Sequence, residues 1–161
     1  MSDTSNAAAP AAASPGSGSV GPLAEELGIR LEEATAERAV ATMPVAGNTQ
    51  PLGLLSGGAS VVLGETLGSI AATLHAGPGR AAVGVDVNAT HHRAVREGIV
   101  TGVATALHRG ERIASYEFVV TDDEGRRVCT GRLTCLLVEV ARRGGPAAAE
   151  AAEHEGAAPE S

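Results

Sequence analysis

A single glutamate, Glu65, stands in the longest apolar segment of the sequence. Its neighbours there include Val61, Val62, Leu63 and Leu67. Burying an ionised carboxylate without partners is costly, so sequences seldom keep one in such a place without a use for it. A carboxylate there could act as a nucleophile or as a general base on water. Alternatively, Glu65 is a structural residue whose side chain reaches solvent or an interface, and the residues alone leave both hypotheses open.

The segment around Glu65 predicts a helix from Gly57 to Leu74, with Ser56 as its N-cap and HAGPG as its stop signal. At its start, the N–H groups of Gly57 and Gly58 are uncovered at the positive end of the helix dipole, which suits a developing oxyanion. A glycine pair before a helix is a weak signal by itself. The helix start is therefore a candidate oxyanion site.

Ser69 lies on one stripe of this predicted helix with Gly57, Val61 and Glu65, because these residues are spaced four apart. Its hydroxyl could hydrogen-bond the carboxylate or a water beside it. It could equally bond the carbonyl four residues before it, as serines inside helices often do. Ser69 is thus a candidate site residue on helical spacing alone.

Two predicted turns hold a concentration of basic residues in a chain whose net charge is −7. An arginine guanidinium presents a fork of donors that fits phosphate oxygens. The alternative is a solvated face on which Glu97 and Glu111 pair with the cations. The basic residues are His91, His92, Arg93 and Arg96 in the first turn, and His108, Arg109 and Arg112 in the second.

The composition excludes several classes of function. The chain has twelve arginines and no lysine, so there is no lysine nucleophile, and the acidic balance lacks the basic surface of a nucleic-acid-binding protein. The histidines, cysteines and acids do not stand at metal-ligand spacing, and GGASVV is not the GxSxG elbow of serine hydrolases. We therefore expect no metal, no cofactor and no nucleic acid partner.

The two cysteines, Cys129 and Cys135, lie six apart in one predicted strand. Six strand steps span roughly 20 Å, which is beyond the reach of a disulfide. The first residues have neither a basic start nor a long apolar run, so no signal peptide is predicted. We therefore expect a reducing, cytoplasmic location.

The order of elements predicts an α+β fold. A helical turn at 22–27 and two strands, 29–34 and 38–43, precede the long helix, and four alternating strands follow it near 83–88, 99–107, 113–121 and 127–140. Because the helix has almost no polar face, we expect it to be buried against a sheet rather than to span a membrane.

Gly64 and Gly68 would let the helix approach that sheet closely. The ends of the chain, 1–21 and 142–161, are rich in Ala, Gly, Ser, Pro and Glu and are predicted to be disordered tails. One domain, 22–141, remains. With few aromatic residues, its core is expected to consist of Val, Leu, Ile and Ala.

QPLGLLSGGASVVLGETLGSIAA resembles the signature of hotdog-fold acyl-CoA thioesterases of the phenylacetate-degradation (PaaI-like) family. The likeness continues through VGVDVNATHHRAVREG and DDEGRRVCTGRLTCLLVE, over residues 38–140. It is nearest to the branch of 1,4-dihydroxy-2-naphthoyl-CoA hydrolase, the enterobactin proofreading thioesterase and 4-hydroxybenzoyl-CoA thioesterase. The resemblance implies an antiparallel sheet wrapped around one long central helix. It also implies hydrolysis of an acyl-CoA whose acyl group is aromatic or bulky.

The resemblance implies roles for individual residues as well. Glu65 matches the catalytic carboxylate, and Gln50 matches the side chain that orients the thioester or the attacking water. Gly57 matches the backbone donor that polarises the thioester carbonyl, and Ser69 matches the hydroxyl that positions water. The positions that match substrate-binding segments are Ser56, Gly84, His91, His92, Arg93, His108, Arg109, Gly110, Glu111 and Arg112.

One residue departs from the family pattern. The family reads HGG where this chain reads SGG, so Ser56 takes the place of a histidine beside the oxyanion donor. Serine can still cap the helix and donate a hydrogen bond, but it cannot carry a charge near neutral pH. The change motivates a second hypothesis, a non-catalytic acyl-CoA-binding hotdog protein. A hotdog dehydratase is a third, but this helix lacks the histidine that such enzymes need.

The resemblance also implies an assembly. In the family the active site is shared between subunits, with the glutamate from one and the glutamine and glycine from its partner. We therefore expect a homotetramer built from dimers, with an acyl-CoA as the small-molecule partner and with no membrane partner.

Overall fold

The computed structural model describes residues 20–140. The predicted tails therefore lie outside the described residues, apart from Val20 and Gly21. The described part of the chain contains two helices and six strands, and each predicted boundary within it is correct to within three residues. The elements are α1 Pro22–Glu26, β1 Arg30–Ala34, β2 Arg38–Pro44, α2 Gly57–Ala76, β3 Arg80–His91, β4 Ile99–Arg109, β5 Ile113–Thr121 and β6 Arg127–Glu139.

The six strands form one sheet in the order β1-β2-β4-β5-β6-β3, and every neighbouring pair is antiparallel. Because β3 lies at the edge far from β1 and β2, the chain must cross the sheet between β2 and β3. Helix α2 makes this crossing and contacts all six strands. The structure confirms the predicted α+β arrangement, an antiparallel sheet wrapped around one long helix.

Close packing between α2 and the sheet depends on glycines, which have no side chain. A Cβ built on Gly64 would lie 2.4 Å from Cδ2 of Phe118, and one built on Gly68 would lie 2.7 Å from Cδ2 of Leu133. From the sheet side, a Cβ built on Gly102 would lie 2.8 Å from Cγ of Leu63. Non-bonded carbon atoms normally stay about 3.5–4 Å apart. The glycines therefore set the distance between helix and sheet, as the pair in α2 predicts.

The core is more aromatic than the composition suggests. Tyr116 and Phe118, the two aromatic residues of the chain, are its largest fully buried side chains, and Met43 comes next. The hydroxyl of Tyr116 donates to the carbonyl of Ala36 at 2.8 Å, and burial raises the pKa of this phenol to about 12. The prediction of a core made only of Val, Leu, Ile and Ala is wrong, because composition does not show where rare residues are concentrated.

Helix α2 is not buried all round within one chain. Leu63 and Leu67 face the sheet and are fully buried, whereas Glu65, Thr73 and Leu74 are exposed on the opposite face. By length and composition alone α2 could cross a membrane, a test that core helices also pass. The prediction of a helix buried on every side is wrong for a single chain, since one partly apolar face remains open.

The hairpin turn between β5 and β6 is held by Asp122, a buried carboxylate. Its Oδ1 accepts hydrogen bonds from the N–H groups of Glu124 and Arg126, and its Oδ2 accepts one from Nε of Arg126 at 2.8 Å. Burial works to raise the pKa of Asp122, but these hydrogen bonds and the charge of Arg126 outweigh it and hold the pKa below its ordinary value. The predicted DDEG turn therefore depends on an ionised side chain.

We expect Asp122→Asn to lower the stability of the protein at pH 7, because an amide replaces the ionised acceptor of these hydrogen bonds. A carboxylate whose pKa is lowered by folding adds stability that is present above its unfolded pKa of about 4 and is lost as the pH falls through the folded value. The difference in urea midpoint between wild type and Asp122→Asn should therefore narrow from pH 7 to pH 3. Asp123→Asn, at an exposed neighbour, is the control. A difference of the same size at both pH values would contradict this account.

Candidate active site

The start of α2 leaves the N–H of Gly57 without a hydrogen-bond partner within residues 20–140. Ser56 occupies the predicted N-cap position, but its side chain makes no capping hydrogen bond. The predicted N-cap position is therefore confirmed, although the Ser56 hydroxyl does not bond the helix start. The positive end of the helix dipole is open to a ligand.

A cavity of about 410 Å³ opens at this helix start, a volume within the usual range for small-molecule sites. Its walls come from the loop before α2, the first turn of α2, and the end of β3. Five of the predicted site residues line it, namely Gln50, Gly57, His91, His92 and Arg93. The sequence did not single out the other lining residues, which are Leu54, Leu55, Ser60, Ala94 and Val128.

Gln50 is held by its own loop. Its side-chain Oε1 accepts the N–H of Leu52 at 2.7 Å, and its backbone N–H donates to the carbonyl of Leu54 at 2.8 Å. Gly53, with a φ of 71°, closes the turn by donating its N–H to the carbonyl of Gln50 at 2.9 Å. Because the amide oxygen is engaged, the amide nitrogen of Gln50 remains as the donor available to the cavity.

His91 packs directly against the helix start. A Cβ built on Gly57 would lie 2.8 Å from Nε2 of His91, so the imidazole and the uncovered N–H border the same space. His92 bonds Oγ1 of Thr130 through its Nε2 at 2.8 Å, and both histidines line the cavity. Strand β3 ends at His91, so strand alternation does not separate the two side chains.

Glu65 lies on the open face of α2, beside β3. Its side chain makes no hydrogen bond or ion pair with any other residue in the described range, and it is exposed. A Cβ built on Gly84 would lie 3.7 Å from Oε1 of Glu65, an ordinary contact distance, so the carboxylate lies directly beside β3. The carboxylate is therefore exposed in one chain, not buried as we expected, and the choice between a catalytic and a structural role for Glu65 stays a prediction.

Ser69 lies near the thiol of Cys135 and lines the same cavity as Glu65. Burial raises the pKa of Cys135, a hydrogen bond with Ser69 works against this shift, and the charge of Glu65 adds to it. Among the described residues, Ser69 bonds neither the Glu65 carboxylate nor the carbonyl four residues before it, and a bond to water stays a prediction. Cys135 lies opposite Gly84 in the register of β3 and β6, and it is a buried free thiol like Cys129, as their spacing predicts.

The single chain does not bring Glu65 together with Gly57 and Gln50. Eight residues of α2 separate Glu65 from Gly57, a rise of about 12 Å. Glu65 and Ser69 line a different cavity, of about 260 Å³, on the open face of α2. The site predicted from the sequence is therefore divided into two halves within one chain.

The second basic turn lies at the opposite end of the sheet from the first. Nη2 of Arg80 donates to the carbonyl of Glu111 at 2.6 Å, which places this turn beside the start of β3, whereas His91 ends that strand. Eleven strand steps, roughly 36 Å, separate the two ends of β3. The prediction of one basic concentration is therefore wrong within one chain.

Contacts with neighbouring elements fix the second turn. Nε2 of His75 bonds the carbonyl of Gly110 at 2.9 Å, and the N–H of Leu137 donates to the carbonyl of Arg112 at 2.9 Å. Arg109 forms its ion pair with Glu37, and not with either of the two glutamates expected. A Cβ built on Gly110 would lie 2.5 Å from Nε2 of His108, so this glycine makes room for the imidazole. The backbone holds the turn, and the Arg112 side chain remains exposed.

Solved thioesterase structures share this fold. A glutamine-to-alanine variant of a thioesterase from Pseudomonas aeruginosa has a TM-score of 0.70 at 42% identity, covering 73% of this chain and 86% of that one. A thioesterase from Staphylococcus aureus has been solved as a glutamate-to-alanine variant, with a TM-score of 0.71 over 74% of this chain and 100% of that one. Its glutamine-to-alanine variant has a TM-score of 0.69 over 71% of this chain and 97% of that one, and both are 27% identical to this chain.

Sequence comparison gives the family. The profile of the Thioesterase superfamily matches residues 52–129. The proofreading thioesterase EntH of Cronobacter turicensis is 49% identical over 121 residues, which cover 74% of this chain and 88% of that protein. The chain belongs to the thioesterase superfamily: it is an enzyme of the thioesterase class with the hotdog fold.

Proposed function

We propose that this protein hydrolyses acyl-CoA thioesters at a site that two copies of the chain complete. The observation that carries the proposal is the division of the site, with Gln50 and Gly57 in one cavity and Glu65 on an open face. An uncovered N–H can polarise a thioester carbonyl but cannot activate a nucleophile. A carboxylate can do so, but Glu65 does not share its cavity with the Gly57 N–H. A second copy related by a two-fold axis would supply each half with its complement.

Strand β3 is the element through which we expect the second copy to bind. It is an edge strand of twelve residues, so one row of its N–H and C=O groups lacks a neighbouring strand among the described residues. Its apolar side chains Val83, Val85 and Val87 are 49%, 59% and 38% exposed. A two-fold axis through the middle of β3 would pair it antiparallel with its copy. The start of one β3 would then lie beside the end of the other, and the two basic turns of different chains would surround one CoA.

The start of α2 would hold the thioester carbonyl in the proposed reaction. The N–H of Gly57 stabilises the negative charge that develops on the carbonyl oxygen, assisted by the helix dipole. The amide nitrogen of Gln50 donates a hydrogen bond to the thioester or to the attacking water. Arg93 and the adjacent histidines, which line the same cavity, contact the phosphates of CoA.

Glu65 brings about attack on the thioester carbonyl carbon in one of two ways. As a general base it accepts a proton from water, whose oxygen bonds to the carbonyl carbon. As a nucleophile it bonds to that carbon itself and gives an anhydride, which water then hydrolyses. In both routes the C–S bond breaks, the sulfur leaves as the CoA thiolate and takes up a proton, and the products are the free acid and CoA.

The spacing of the two side chains supports their joint role. The glutamine and the glutamate substituted in the two structures of the Staphylococcus aureus thioesterase are 15 positions apart, as Gln50 and Glu65 are in this chain. Gly57 at the helix start and Glu65 both lie on α2, so the rise of the helix fixes the distance between them. We infer that Gln50 and Glu65 belong to one catalytic set.

The proposed reaction consumes only the thioester and water, so we propose no metal and no further cofactor. Within residues 20–140, no group of three or more His, Cys, Asp and Glu side chains is placed to hold a metal ion. Free buried cysteines are ordinary in a reducing compartment, so we propose a cytoplasmic location.

Thiol release from a panel of aryl-, phenylacetyl- and straight-chain acyl-CoAs tests this proposal. We expect at least one ester to be hydrolysed with kcat/KM of about 10⁴ M⁻¹s⁻¹ or more, as is usual for enzymes on their own substrates. A non-catalytic acyl-CoA-binding protein is the second candidate, and Ser56 in place of the family histidine favours it. Tight binding of the esters without thiol release from any of them would establish that second function and overturn the first.

Ser56→His is expected to raise kcat on the best substrate, on the order of tenfold, because it places an ionisable imidazole beside the oxyanion donor. The serine hydroxyl makes no capping hydrogen bond, so the exchange breaks none. Ser56→Asn, which is polar but does not ionise, is the matched control and should leave kcat near the wild-type value. Steady-state turnover of the three proteins is compared, and an unchanged or lower kcat for Ser56→His would count against the prediction.

A further inference from the structure

A trough runs along the open face of α2, away from the helix start. It consists of the 260 Å³ cavity that contains Glu65 and an adjoining cavity of about 280 Å³. The two cavities share Val20, Thr66 and Ser69, and the second ends at Leu74. From Glu65 to Leu74 the helix rises about 13 Å. The trough therefore begins at the proposed catalytic carboxylate and extends beyond it.

The N-terminal segment forms one wall of this trough through Val20 and Leu23. This segment is fixed in place, because Ala24 is buried in the core and the side-chain nitrogen of Asn48 donates to the carbonyl of Leu27 at 2.8 Å. Leu23 itself remains 62% exposed, although α1 holds it beside the trough. A fixed, exposed leucine next to Glu65 has apolar surface that a ligand could cover.

The chemistry of the trough fits an acyl group and not CoA. Among the described residues that line it, Glu65 is the only charged one, and the remainder include Val62, Ile70 and Leu74. The basic side chains that suit phosphates line the other cavity instead. An apolar cavity of about 150 Å³ already holds benzene, so the trough has room for an aryl ring or an extended alkyl chain.

We propose that Val20 and Leu23 bind the acyl group and determine which acyl-CoAs the enzyme prefers. This inference rests on the proposed function. The match to the superfamily profile begins at residue 52, so this wall of the trough comes from outside the matched region. Acyl preference is then a property of the N-terminal segment of this chain, whereas Gly57 and Glu65 come from the matched part.

Kinetics with the full-length protein test the proposal. Leu23→Asp should lower kcat/KM for benzoyl-CoA and decanoyl-CoA at least tenfold and change that for acetyl-CoA less than twofold, because only the larger groups reach the altered wall. Leu23→Met should retain the wild-type values. Leu23→Ala should lower the value for decanoyl-CoA about threefold, whereas Leu136→Ala, at an exposed leucine of β6, should change no value more than twofold.

Binding of two thioether analogues that cannot be hydrolysed, S-methyl-CoA and S-decyl-CoA, gives a readout that is independent of turnover. The ratio of their dissociation constants should move at least tenfold toward S-methyl-CoA in Leu23→Asp. If the wild type hydrolyses thioesters and the Leu23 variants keep the wild-type preferences, the inference fails and the proposed function stands. If no thioester is hydrolysed and the binding ratio still shifts, the proposed function fails and the acyl trough stands. An unchanged binding ratio overturns the inference in either case.

Discussion

Replacing Glu65 by glutamine is expected to lower kcat for thioester hydrolysis at least 100-fold. Glutamine has nearly the shape of glutamate, but it can neither accept a proton from water nor attack the carbonyl carbon. A loss of this size corresponds to about 2.7 kcal/mol of transition-state stabilisation. The Glu65 side chain has no partner among the described residues and is exposed, so the substitution should leave the fold intact.

The experiment measures kcat on the best ester of the panel, together with thermal unfolding of each protein. Glu117→Gln is the matched control, because Glu117 is exposed on β5, away from both halves of the site. It should retain kcat within twofold of the wild type. If Glu65→Gln loses less than tenfold with its melting temperature unchanged, Glu65 is not the catalytic carboxylate.

Gly64→Ala is expected to lower the stability of the protein markedly. A methyl group at this position would lie 2.4 Å from the ring of Phe118, which is buried and cannot move aside. Overpacking of this kind costs about 1–3 kcal/mol, whereas alanine in place of glycine within a helix contributes at most about 1 kcal/mol. We therefore expect a net loss of about 1–2 kcal/mol in the free energy of unfolding.

Gly58→Ala makes the same change in the same helix without the clash. A Cβ built on Gly58 meets only Oγ of Ser56, at 3.6 Å, which is ordinary contact. This variant should be as stable as the wild type or more stable by up to about 1 kcal/mol. Urea unfolding measures the free energy of unfolding of Gly64→Ala and Gly58→Ala. Equal values for the two variants would show that the glycines do not set the distance between helix and sheet.

The elements of the fold could be predicted because each has a local signal in the sequence. Alternation along β5 and the long, mostly apolar run of α2 give their types, and glycines give several of their ends. The open face of α2 could not be predicted in this way. A hydrophobic pattern shows that a surface avoids water, but it does not show whether the same chain or a second copy covers it.

The site was predictable along the helix and poorly predictable across the sheet. Helical spacing places Gly57, Glu65 and Ser69 on one stripe. Ser60, one helical turn after Ser56, could have been predicted from the same spacing. Val128 enters the first cavity from β6, which no local pattern connects to the helix start. The separation of the two basic turns follows from strand order, which a sequence pattern does not give. Leu23 was missed because a short apolar turn shows nothing of the cavity beside it.

The most direct test of a shared site is complementation between two inactive variants. Gly57→Val should abolish turnover, because the valine side chain would cover the N–H of residue 57. It would also meet the His91 imidazole, but that ring is the end of an exposed side chain and can move aside without disturbing the fold. Glu65→Gln disables the other half. When both variants are co-expressed in equal amounts, half of the dimers are mixed, and each mixed dimer has one intact site.

We predict that the co-expressed pair recovers about a quarter of the wild-type thioesterase activity, while each variant alone stays near background. Such recovery would mean that Gly57 of one chain works with Glu65 of another. Activity of the co-expressed pair no greater than that of the separate variants would contradict a site completed by two copies.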